Sequence, residues 1–194
     1  MGYQSWPRDP AVLPDAYREY RTVDLKDKKF TVAVQIIFGV VVLVAVGVAL
    51  LLGLPLRSSW SPILTIPVTL AACLIYMAAH EATHGVVLQA LTKVKPSYAL
   101  RFPFLTTGSR AYLTRRSAVI IAIAPAVIWG LVLLAALLTL PQDFLLTTYI
   151  LLALNFAGSA GDLVEVYVVS RQPSDALVQD DGNKVLVFVP LDSR

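Results

Sequence analysis

Four apolar runs, Thr31 to Leu54, Ile63 to Leu91, Ser117 to Leu140 and Phe144 to Val169, constrain this chain more than anything else in it. Each is long enough for a helix to cross a hydrocarbon core of about 30 Å. A spanning segment must pair its own backbone N–H and C=O groups, so an open run of this kind folds as a helix. Of 194 residues, 57% are hydrophobic, and the mean hydropathy of +0.69 exceeds what a soluble core of this size requires. The expectation is an all-α integral membrane protein. Residues 1–30 form a cytoplasmic segment, 31–171 a four-helix transmembrane domain and 172–194 a cytoplasmic tail.

Orientation follows Lys and Arg close to the spans. Arg8, Arg18, Arg21, Lys26, Lys28 and Lys29 precede the first span, and Lys93, Lys95, Arg101, Arg110, Arg115 and Arg116 fill the second loop. The first loop carries only Arg57 and the third no basic residue, which puts both termini and the second loop in the cytoplasm. The net charge of +3 flanks spans and alternates with acids, so nucleic acid is not an expected partner; the lipid bilayer is. Cys73 lies within the second span as a packing residue, and the polar first 30 residues do not read as a cleavable signal peptide.

Outside the spans the signals are local. The N-terminal segment contains Pro7, Pro10 and Pro14, and from Asp15 it reads either as an interfacial helix bearing Tyr17 and Tyr20 or as a tail that only sets orientation. The second loop carries Phe102-Pro103-Phe104 and the turn signal Thr107-Gly108-Ser109, giving a hairpin or re-entrant segment, or else an ordinary basic connector. Val178 and the Val185–Val189 run flank Asp180-Asp181-Gly182-Asn183, the pattern of a small C-terminal β-hairpin. Pro67 should start or kink the second helix and Pro125 should kink the third. Trp129 is read as a packing residue, and neither Pro125 nor Trp129 is assigned chemistry.

The chain's two histidines occur together in His80-Glu81-Ala82-Thr83-His84, toward the cytoplasmic end of the second run. Residues four apart share one face of a helix, so both imidazoles can serve one metal ion. Glu81 beside them is placed to hold and deprotonate a metal-bound water, the general-base role in metal-assisted hydrolysis. Ionisable groups at membrane depth are costly and tend to mark a site. Tyr76, one turn earlier, could reach the same place but is read first as a packed aromatic.

A third ligand is sought in the fourth span, where Asn155-Phe156-Ala157-Gly158-Ser159-Ala160-Gly161-Asp162 interrupts the apolar pattern. At 100° per residue, Asn155, Gly158 or Ser159, and Asp162 fall on one stripe, whose small residues would let another helix approach. His84 precedes Lys93 by nine residues and Asp162 precedes Arg171 by nine, so the two lie level in parallel spans. His80, His84 and Asp162 would leave a fourth tetrahedral position for water. Glu165 is the rival ligand or a second-layer group, and Asn155 a candidate for holding substrate.

With the His80–His84 motif, Leu113-Thr114-Arg115-Arg116 leading to Ala124-Pro125, and Asn155 through Gly161-Asp162, the chain resembles the bacterial family called putative zincin peptidases. More distantly it resembles the site-2 class of intramembrane metalloproteases, although Leu163 follows Asp162 where that class usually has glycine. The resemblance implies one Zn2+ per chain, peptide-bond hydrolysis and a place in the bacterial plasma membrane. The expected activity is that of a zinc metalloprotease acting on membrane proteins or peptides near the cytoplasmic face. The alternatives are a non-catalytic metal-binding or interaction module, and a metal transporter, which the nearly apolar first and third spans disfavour.

Overall fold

The computed structural model describes residues 12–101, 104–180 and 184–192. The first three apolar runs form α1 (Lys28–Leu51), α2 (Pro62–Thr92) and α3 (Arg115–Thr139). The fourth becomes two successive helices, α4 (Leu145–Gly158) and α5 (Ala160–Ser170), after a 3-10 turn at Gln142–Phe144. These make four helical stretches long and apolar enough to cross a membrane. α1 contains no buried residue at all.

The helix ends follow local chemistry. Pro62 sits in the first turn of α2, where its missing N–H is no loss, and Lys93 ends the helix in the left-handed region at φ 63°. Thr114 caps α3 by accepting from the Ser117 N–H at 3.2 Å. The break between α4 and α5 falls at Ser159, whose Oγ donates back to the Asn155 carbonyl at 2.8 Å. Such back-bonding by serine bends a helix. The single fourth helix read from the sequence is therefore two.

The all-α expectation needs a larger correction. A four-stranded sheet runs in the order β1 (Tyr17–Asp24), β6 (Lys184–Pro190), β5 (Leu177–Asp180), β4 (Leu113–Thr114), all pairs antiparallel. The C-terminal hairpin is present as β5 and β6, although its apex, 181–183, lies outside the described residues, as do Pro7 and Pro10. β1 is neither an interfacial helix nor a tail: it pairs with β6 from Tyr17↔Pro190 to Asp24↔Lys184. The physical reason lies in β6. Val185, Val187, Phe188 and Val189 are buried, and a buried strand needs partners for its N–H and C=O groups on both edges.

In the second loop, β2 (Ser97–Arg101) and β3 (Phe104–Gly108) form a separate antiparallel hairpin. The chain reverses between Arg101 and Phe104, so Thr107-Gly108-Ser109 is the end of a strand and not the turn. Phe102-Pro103 lies outside the described residues.

The core that fixes the site lies between the four-stranded sheet and one end of the bundle. Val185 and Val187, with no exposed surface, join Leu88 of α2, Ala118 and Ile121 of α3, and Val168 and Val169 of α5. The sheet thus gathers the N-terminal strand, the second loop and the C-terminal strands at one end. At the other, the Ser59 N–H donates to Asp143 Oδ1 at 2.7 Å and Trp60 meets Phe144 edge-on.

Candidate metal centre

One turn of α2 carries His80 and His84, both buried, and the first turn of α5 brings Asp162 to them. His80 Nε2 lies 3.3 Å from Asp162 Oδ2, and His84 Nε2 lies 3.4 Å from Asp162 Oδ1. One ligand atom from each of the three residues falls within 4.8 Å of the others. Zinc binds nitrogen and oxygen at about 2.0–2.1 Å, and the edge of a tetrahedron is about 1.63 times that, or roughly 3.3–3.4 Å. The two observed separations, each to a different carboxylate oxygen, lie near that edge length, at the long end of the hydrogen-bond range. The donor set fits zinc.

What lies behind each imidazole decides which nitrogen can face the metal. His84 Nδ1 is 2.9 Å from the Ile121 carbonyl of α3, which can only accept, so this nitrogen carries the proton. For His80 the same answer comes through three hydrogen bonds. Asn155 Nδ2 donates to the Ala126 carbonyl at 2.9 Å, which turns Oδ1 toward Tyr76; the Tyr76 hydroxyl donates to it at 2.7 Å. The tyrosine oxygen, 3.1 Å from His80 Nδ1, is then left to accept from that ring. Both rings therefore turn Nε2 toward Asp162, the nitrogen whose lone pair a bound ion would meet. Holding the far nitrogen in this way is how proteins orient metal-binding histidines.

Glu81 is fixed from the second loop. The Thr107 hydroxyl lies 3.1 Å from Glu81 Oε2 and 3.0 Å from the Glu81 carbonyl, so its one proton is shared between them. The Tyr98 ring of β2 lies over Gly85, the residue after His84, where a Cβ would meet its hydroxyl. Trp129 of α3 donates from Nε1 to Thr83 Oγ1 at 3.0 Å and meets Tyr76 edge-on.

Two cavities flank the cluster, and both reach Glu81 and Asp162. One, of about 280 Å³, opens toward the sheet and is lined by His84, Thr107, Ser109, Glu165 and Asp180 among others. The second, of about 470 Å³, is lined by Gln35 and Phe38 of α1, Tyr76, Met77 and His80 of α2, and Leu154 of α4. Gly158, read as part of a stripe for helix approach, has open space where a Cβ would stand, as does Gly161, and each lines one of the cavities. The close approach occurs at Gly130, where a Cβ would lie 3.3 Å from Asn155 Nδ2.

The structure thus joins His80, His84 and Asp162, with Glu81 adjacent, and puts Glu165 in the wall of the smaller cavity. Asn155, with no exposed surface, faces Tyr76 and α3. Thr107 and the Ile121 carbonyl were not anticipated as neighbours of the site. A family model described as putative zincin peptidase matches residues 73–177, just over half of the chain. No curated protein and no solved structure matches.

Proposed function

The chain belongs to the putative zincin peptidase family, and from that premise we propose a membrane-embedded zinc metalloprotease that hydrolyses peptide bonds of membrane proteins near the cytoplasmic face. The observation that carries the reading is the cluster of two imidazole nitrogens and a carboxylate, within 4.8 Å of one another, with a glutamate beside it. The membrane setting is supported by helices whose apolar side chains face outward. Leu43 and Leu50 of α1 are 73% and 76% exposed and α1 buries none of its residues, so its apolar surface needs a non-aqueous covering.

His80, His84 and Asp162 would hold the ion, one per chain. Bound zinc supplies Lewis acidity, polarising the scissile carbonyl and making a water acidic near neutral pH. Glu81 takes a proton from the attacking water as the C–O bond forms, then returns it to the amine as the C–N bond breaks. Thr107 keeps the Glu81 carboxylate turned to the cavities. The larger, mostly apolar cavity accommodates the substrate chain, and the smaller one, which reaches the sheet, gives water a way in.

Glu81→Gln tests the reading. Zinc content should stay at the wild-type level, while cleavage products of membrane proteins, counted by mass spectrometry of membranes, should fall by at least about 100-fold. Equal product in both would leave a metal-binding module as the better account.

A further inference from the structure

α3 supplies no residue to the metal triad, yet both orienting chains end on its carbonyls, at Ile121 and Ala126. The Ile121 carbonyl is special for a reason visible in the sequence. In a regular helix it would accept the N–H of the residue four positions on, and that residue is Pro125. Proline has no N–H, and its ring crowds the carbonyl four residues before it, tilting that group off the helix axis. The carbonyl so released is the one that His84 Nδ1 meets at 2.9 Å. Pro125 itself is buried.

We infer that Pro125 is a positioning residue for the metal centre: by withholding an N–H from Ile121 O it gives that carbonyl to His84, which fixes the ring with Nε2 toward the ion. The inference rests on the metal reading above but concerns a hydrogen bond that exists without metal. A proline kept only to bend α3 would not affect which nitrogen of His84 carries the proton.

The test uses the full chain in detergent, labelled with 15N-histidine; its two histidines give two ring systems, assigned with His84→Ala. In the wild type, with and without zinc, Nδ1 of both rings should carry a proton; without zinc Nε2 can carry one too, because it faces the Asp162 carboxylate. In Pro125→Ala the restored N–H competes for Ile121 O. His84 alone should then lose its Nδ1 preference, while His80, held through Tyr76 and Asn155, keeps its own. Zinc affinity, measured by chelator competition, should fall about 10- to 100-fold, the loss usual for an orienting partner. Thermal stability of the metal-free variant should hold or rise, because alanine suits a helix interior better than proline. Pro67→Ala, the same change elsewhere in the bundle, should alter neither ring nor affinity.

An unchanged His84 ring and zinc affinity in Pro125→Ala overturn the inference. So does a His84 whose Nδ1 carries no proton in the wild type, which needs no variant to fold. Wild-type protein that binds no zinc would remove the hydrolase reading alone, since the metal-free spectra still decide the role of Pro125.

Discussion

Replacing Asp162 by Asn separates the carboxylate from its near neighbour Glu165 as the third ligand. Asparagine keeps the shape and the hydrogen-bonding oxygen but removes the negative charge. The carboxylate presents one oxygen to each histidine nitrogen, at 3.3 and 3.4 Å, so an ion seated between them has this group as its sole anionic ligand among the described residues. Loss of a mere orienting partner costs about 10- to 100-fold in metal affinity. Loss of the charged ligand itself should reach at least about 100-fold, close to 2.7 kcal/mol. Glu165 lines the smaller cavity and does not belong to the cluster, so Glu165→Gln should shift affinity by less than about three-fold, or about 0.7 kcal/mol. The assay is competition with a chromophoric chelator on detergent-purified protein, with metal content read in parallel. Wild-type affinity in Asp162→Asn together with a large loss in Glu165→Gln would refute the assignment.

Two further outcomes follow from contacts away from the ligands. Thr107→Val removes the hydroxyl from Glu81 and keeps the strand's shape; a hydrogen bond to a charged group contributes about 1.5–3 kcal/mol, so turnover should fall about 10- to 150-fold with zinc affinity unchanged. Unaltered turnover would remove Thr107 from the site's working parts. Val187→Ala takes two methyl groups from a fully buried position and should destabilise the sheet by roughly 2 kcal/mol. Hydrogen exchange at the β6 amides reads this directly, and amides no less protected than in wild type would contradict the packing described.

How far the sequence revealed this molecule depends on where each specification is stored. The long helices were legible because a hydrocarbon solvent demands long uninterrupted apolar runs. β6 was legible from its own valines, but β1 was not: seven of its eight residues are not buried, and what makes it a strand is the open edge of β6. The pair His80 and His84, and Asp162 level with them, could be found because helical spacing and flanking basic residues set depth along a span. Thr107 could not, since its contact with Glu81 spans 26 residues and depends on hairpin register. Glycine content was equally ambiguous: Gly158 and Gly161 open onto cavities, whereas Gly130 admits the Asn155 amide. Pro125 shows the limit most clearly. Its sequence signal was plain and was read as a kink, because the acceptor it releases is a backbone atom four residues away, with no side chain to announce it. A proline in the helix facing a histidine pair therefore marks a candidate acceptor at the residue four positions before it, and that carbonyl is where the second layer of such a site should be sought.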